Sequence, residues 1–394
     1  MSSEGVASNE EVNWEELEMP PAPETGKVRR FYSDWPMEKI VRSGFSFALF
    51  AAGLLLTVWA VGLFEESFLN PHDPALRSSM SDFEDLTGFD EVSTDGDGVA
   101  VCIVDSGIDM SHPDLASFSL SGWSDFINAR DTPYDDEGHG TAMAGILIAD
   151  GYISGIAKGV NLYIAKAITK EGTGTDDGIA EAVDWCVEQS VDIISLSLGG
   201  SQGIDFIVIE GDSLEGAVNA AIDEGIFVVA AAGNDGEDDD GDVASPGSVE
   251  NVICVGAIDK EGNIWSGSSA GDNSFNPPIN WVPRSNPDKK PELVAPGEDI
   301  PVLNAQIGGT DALYAWGDGT SGATVWVTGA LAHLLEERPD LQHDGASGGS
   351  GTVEDVKSWI MDSVVPKDGQ GEHDNHYGYG HLKVDALIQQ AGQA

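Results

Sequence analysis

Between residues 99 and 255 the chain alternates short, predominantly apolar runs with segments of helical periodicity. The runs fall at 99–104 (Val-Ala-Val-Cys-Ile-Val), 162–167, 193–198, 226–231 and 252–255. Each is bounded by turn residues, the pattern of a strand buried on both faces of a parallel sheet. Apolar residues at helical spacing occupy 139–149, 177–189 and 213–224. This cadence predicts an α/β fold in three layers, a mostly parallel central sheet with helices on both faces. Ligands of such sheets bind at the carboxyl ends of the strands. A further helix is predicted after the turn Gly319-Thr320-Ser321-Gly322-Ala323-Thr324, where Val325, Val327, Ala330, Leu331, Leu334 and Leu335 share one face.

The N-terminal part follows a different pattern. Residues 1–42 are polar and acidic, with Pro20, Pro21 and Pro23 clustered, and are read as a flexible cytosolic tail. Residues 43–64 contain no charge and, as a helix, are long enough to cross a hydrocarbon layer of about 30 Å. The segment begins late and runs into Phe64-Glu65-Glu66, so an uncleaved anchor is expected, not a signal peptide. Lys27, Arg29, Arg30, Lys39 and Arg42 precede it and the next basic residue is Arg77. The expected topology is therefore single-pass in the cytoplasmic membrane, N-terminus cytosolic, everything after the anchor extracytoplasmic. Residues 65–96 are read as a linker with weak helical content, and 97–394 as the folded domain.

Charge sharpens this picture. The chain carries 18 Lys+Arg against 68 Asp+Glu, a formal net charge of −50. Residues 1–42 hold 9 acidic and 5 basic residues, which leaves 59 acidic and 13 basic, or −46, on residues 43–394. Such self-repulsion opposes compaction in dilute buffer and is screened in concentrated salt, where the Debye length is about 3 Å at 1 M. An acidic, salt-adapted protein is expected, and nucleic-acid binding is disfavoured because the folded part shows no cluster of Lys and Arg. Three cysteines, Cys102, Cys186 and Cys254, lie in apolar elements without metal-ligand spacing and are read as small buried hydrophobes.

Candidate chemistry sits at predicted strand ends. The first strand closes on Asp105-Ser106-Gly107-Ile108-Asp109, and Asp136-Glu137-Gly138-His139-Gly140-Thr141 places a histidine at a helix start. Ser321 also opens a helix, where free N–H groups and the positive dipole end face any developing negative charge. Taken alone, Ser321 reads equally well as an N-cap and Asp105 as a turn former. Together, Asp, His and Ser in Gly-flanked turns supply the parts for nucleophilic acyl transfer.

These motifs resemble those of the subtilisin-like serine proteases. The likeness rests on Asp105-Ser106-Gly107-Ile108-Asp109 with His112-Pro113-Asp114-Leu115, Gly138-His139-Gly140-Thr141 and Gly319-Thr320-Ser321-Gly322-Ala323-Thr324. Between them stand Ser197-Leu198-Gly199-Gly200, Ala230-Ala231-Ala232-Gly233-Asn234, Ala244-Ser245-Pro246-Gly247 and Val294-Ala295-Pro296-Gly297, covering roughly 97–390. The resemblance implies a serine endopeptidase with Ser321 as nucleophile, His139 as general base, Asp105 as its orienting carboxylate and Asn234 as oxyanion donor. It further implies that Ser197, Leu198, Gly199 and Gly233 meet the substrate backbone. Expected partners are polypeptide substrates; because only 40 residues separate Phe64 from Asp105, the domain is expected either to fold without a propeptide or to use one, or an inhibitor, in trans.

Departures qualify the likeness. Gly322 and Val325 stand where the family usually has Met and Pro, and Ala142 where it has a second histidine. Gly322 is expected to loosen packing beside the nucleophile. No cofactor is required and no metal ligand is assigned; a structural calcium is supported only weakly, through Asp114 or the acidic run 235–242. His373, His376 and His381 straddle a Gly-Tyr-Gly turn and are not read as a metal cluster. Two rivals remain: a catalytically silent protein of the same fold that binds peptides, and an esterase. The esterase elbow wants Gly where Ala323 stands and places Asp and His after the serine.

Overall fold

The apolar runs become parallel strands: β1 (Ala100–Asp105), β3 (Asn161–Lys166), β4 (Ile193–Leu196), β5 (Phe227–Ala231) and β6 (Ile253–Ile258). With β2 (Gly122–Asp125) and β7 (Leu293–Pro296) they form a seven-stranded sheet in the order β2-β3-β1-β4-β5-β6-β7, every pairing parallel. Strand limits differ by up to three residues from the periodicity reading. β2 gave no apolar run because, as an edge strand, it buries fully only Asp125. A separate antiparallel hairpin, β8 (Ile300–Leu303) and β9 (Tyr314–Gly317), precedes the last turn before Ser321. This computed structural model describes residues 73–198, 212–236, 241–275, 282–309 and 312–393. The expected tail at 1–42, the anchor at 43–64, residues 65–72 of the expected linker, Gly199 and residues 237–240 of the acidic run lie outside the described residues.

The helices α2 (His139–Ile148), α3 (Asp176–Glu188) and α4 (Asp212–Asp223) occupy the predicted segments within a residue. α5 (Thr320–Glu337) is buried on all sides from Thr320 to Leu335. It packs across β4, β5, β6 and β7, which explains why it is apolar around its whole circumference. α6 (Ser350–Ser363) and α7 (Val384–Ala391) close the domain. Among the described residues, no helix is long and apolar enough to cross a membrane.

The segment expected as linker contains α1 (Pro74–Thr87), capped by the Asp73 side chain on the Ala75 N–H and ended by left-handed Gly88. Its buried residues Leu76, Met80, Phe83 and Thr87 recur at helical spacing. Phe83 and the following Phe89 pack against Trp326 of α5, tilted and edge-on respectively, with ring centroids 6.1 and 5.4 Å apart. The folded domain thus begins before residue 97, and α1 braces the helix that carries Ser321. Its apolar residues are too few to stand out without their partner.

Two cysteines correct the reading of small buried hydrophobes. Cys102 in β1 and Cys186 in α3 form a disulfide, their Cα atoms 5.9 Å apart across 84 residues of sequence. α3 packs over β1 and β3, which brings the two together. Cys254 is free and buried, and that burial, with Glu292 nearby, pushes its thiol well above the ordinary range.

Candidate active site

Asp105 closes β1 and is 1% exposed. Its carboxylate accepts the Ser106 N–H at 2.6 Å, and both oxygens lie 2.9 Å from Nδ1 of His139. His139 is the first residue of α2. Asp135 prepares that helix start by accepting from the Gly138 N–H and from the amide and hydroxyl of Thr141. The turn after β1 comes so close that a Cβ on Gly140 would stand 2.2 Å from the Gly107 carbonyl oxygen. Only glycine permits this approach, which sets the imidazole against Asp105.

Ser321 is the second residue of α5, 6% exposed, in the turn whose first N–H groups lack intrahelical partners. Its Oγ donates to the Ser197 carbonyl at 3.1 Å, while Ser197 Oγ donates to the Ser321 carbonyl at 3.1 Å. No hydrogen bond joins Ser321 to His139 among the described residues; the Ser321 hydroxyl is engaged by the Ser197 carbonyl instead. Asn234, 3% exposed, accepts the Thr320 N–H at 3.0 Å, and its Oδ1 lies 2.9 Å from the Thr320 hydroxyl. This fixes Oδ1 toward Thr320 and places Nδ2 beside Gly319. Gly233 donates its N–H to the same hydroxyl at 3.2 Å. The structure therefore gathers Asp105 with His139, and Ser197, Gly233 and Asn234 with Ser321. Leu198 is 2% exposed, so its side chain faces the core.

The expectation of loose packing at Gly322 is not met. A Cβ there would stand 2.1 Å from Cδ1 of Ile300, so β8 fills the space a larger residue would take. The two oxygens of Asp114 accept from the Ile153 N–H and the Tyr314 hydroxyl. Asp242, at the end of the acidic run, is held bidentately by Arg284 at 2.8 Å on each oxygen. His373 and His376 meet separate backbone carbonyls, those of Pro291 and Ser268, and no group of three metal-ligating side chains occurs among the described residues.

The electrostatics centre on His139. Burial alone would lower its pKa, but the charge and hydrogen bond of Asp105, then Glu137 and Asp135, push it up to about 9. The imidazole is 33% exposed, so water and salt screen part of that attraction. Sequence reasoning missed the support behind this couple. Ser106 Oγ accepts from the Gly140 N–H at 2.8 Å and donates to Asp135 at 3.0 Å, and the ammonium of Lys166 is fully buried just beneath. The signal was a lysine inside an otherwise apolar strand.

A buried carboxylate orienting an imidazole, a hydroxyl at a helix start and amide donors beside it can together transfer an acyl group. Comparisons with known proteins agree in kind. The sequence model of the Subtilase family matches residues 96–380. Serine protease AprX of Bacillus subtilis (strain 168) is 36% identical over 270 residues, 63% of this chain and 59% of that protein. The intracellular serine protease of Paenibacillus polymyxa is 36% identical over 251 residues, 62% of this chain and 68% of that one. The crystal structure of a cold adapted subtilisin-like serine proteinase aligns with a TM-score of 0.55 at 25% identity, over 74% of this chain and 89% of the other. The match thus spans less than two thirds of the length of AprX.

Proposed function

Because the chain belongs to the subtilase family, we propose that it is a serine endopeptidase acting on polypeptides through Asp105, His139 and Ser321. Substrate entering along 197–199 and Gly233 presents its carbonyl carbon to Ser321. The hydroxyl turns from the Ser197 carbonyl toward Nε2 of His139, which takes its proton as Oγ attacks. Asp105 keeps the other ring proton on Nδ1 and stabilises the imidazolium. The oxyanion is met by Asn234 Nδ2 and the Ser321 N–H. His139 then gives its proton to the leaving amine, and water repeats the sequence on the acyl-enzyme. Acyl transfer by these groups requires no cofactor.

The observation that carries this reading is the Asp105–His139 pair, 2.9 Å apart, set at the sheet end where Ser321 opens α5 beside a fixed Asn234 amide. The Cys102–Cys186 disulfide supports an oxidising, extracytoplasmic setting, consistent with an anchor at 43–64 and a cytosolic tail. Salt adaptation is supported by the charge of −50, and by Lys166, Lys290 and Lys357 being withdrawn into the interior, which leaves the surface still more acidic. A propeptide or inhibitor acting in trans belongs to the same reading. The Ser321 hydroxyl bonded to Ser197 favours a second one, peptide binding without turnover.

Labelling of the full chain with an organophosphate probe in molar salt separates the two. Wild type is expected to label and Ser321→Ala and His139→Ala to lose labelling. A wild type that stays unlabelled while folded would leave the binding reading standing.

A further inference from the structure

We propose that Lys166 is a positioning residue for the Asp105–His139 couple, holding the strand end that carries the carboxylate to the loop that carries the imidazole. The proposal rests on the reading of Asp105, His139 and Ser321 as a triad. An ammonium has three donors, and Lys166, with 0% exposure, spends them on three acceptors. Nζ lies 2.5 Å from the Ser106 carbonyl, 2.9 Å from the Ile168 carbonyl and 2.7 Å from Asp136 Oδ1, with the Tyr134 ring centroid at 4.9 Å.

Those acceptors belong to different elements. Ser106 follows Asp105, donates its N–H to that carboxylate and receives the Gly140 N–H on its hydroxyl. Asp136 stands three residues before His139 in the loop that opens α2. Ile168 lies beyond β3, whose Lys166 is in register with Asp105, and the Ala167 and Ile168 amides donate to the Asp105 carbonyl. An ammonium cannot be left buried without its acceptors, so the three segments keep their relative positions for as long as the lysine is in place. The site also needs the charge. His139 faces Asp105, Asp135 and Glu137, all of which favour its proton, and Asp136 lies next to Asp135 in the same loop. Lys166 is the buried cation set against them, paired with Asp136.

The test is the rate of organophosphate labelling of the full chain in molar salt as a function of pH, for wild type, Lys166→Met, Lys166→Arg and Asp136→Asn. Lys166→Met keeps the length of the side chain and removes its charge and donors. It is expected to label at least tenfold more slowly at its optimum, with the acid limb displaced to higher pH. Lys166→Arg keeps the charge but not the three-donor geometry and is expected to restore the limb and not the rate. Asp136→Asn, at a site 32% exposed, keeps an acceptor and removes a negative charge; its limb is expected to move the opposite way, to lower pH. Folded Lys166→Met with wild-type rate and limb overturns the proposal. If Lys166→Met does not fold, an unchanged limb in Asp136→Asn overturns it. Failure of the triad reading itself shows separately, as a wild type that does not label.

Discussion

Among the described residues, two regions of this acidic protein bury lysine ammonium groups, and they do so to different ends. At the cleft end of the sheet, Lys166 pairs with a single partly exposed carboxylate and two carbonyls, all within a few residues of Asp105 and His139. At the far edge, Lys290 and Lys357 share Glu292, 2.8 Å from each, and both donate to the Val252 carbonyl. Lys357 also bonds Asp288. Burial pushes Lys290 below the usual lysine range despite Glu292, whereas Glu292 and Asp288 together hold Lys357 above it. This second network ties α6 to the segment entering β7 and touches none of the groups proposed to react. The same chemistry therefore serves geometry of the site in one place and cohesion of the fold in the other.

The comparison can be broken by separating stability from rate. Lys357→Met leaves Lys290 alone against both Glu292 and Asp288, one buried carboxylate charge uncompensated, and is expected to cost about 3–5 kcal/mol of stability. Its folded fraction should label with the wild-type pH profile; a displaced acid limb would show that the far network also reaches the site. Asn234→Ala is the converse case. It is expected to lower turnover about 10²–10³-fold with KM little changed. A thermal transition lowered as far as that of Lys357→Met would assign Asn234 to the fold and not to the oxyanion.

A smaller effect sharpens the electrostatic half of the contrast. Peptidase activity needs neutral His139, so it should rise with pH along a limb above the ordinary histidine value of about 6.5. The linked stability has the opposite sign. A raised folded pKa stabilises fully below about 6.5, and that contribution is lost as pH climbs toward the folded value of about 9. Glu137→Gln removes one attracting carboxylate and should move the limb down by a fraction of a pH unit, as should added salt, which screens the one-third exposed ring. A limb indifferent to both would mean that Glu137 and the exposed side of the ring do not contribute to it.

Much of this was legible in the chain. The order of strands and helices followed from apolar runs and spacing. Asp105, His139 and Ser321 stood out as a set, each in a Gly-flanked turn at an element's end. Asn234 stood out only through the family resemblance, since alone it reads as an Asn-Asp-Gly turn. Periodicity reports that a residue is buried, not what it is buried against. Cys102 and Cys186 therefore looked like two small hydrophobes until α3 was laid over β1. α1 looked like linker until Phe83 and Phe89 met Trp326, and Gly322 looked like a gap until Ile300 filled it.

What the sequence determined by itself is the set of buried strands, the turns at their carboxyl ends and the residue types delivered there, because these depend on local pattern and local backbone freedom. What only the tertiary structure decided is the partnership between distant positions. The order β3-β1-β4 sets Lys166 beside Asp105 and leads Ser197, just beyond β4, to Ser321, and neighbours in a sheet are chosen by crossover connections that no local pattern encodes.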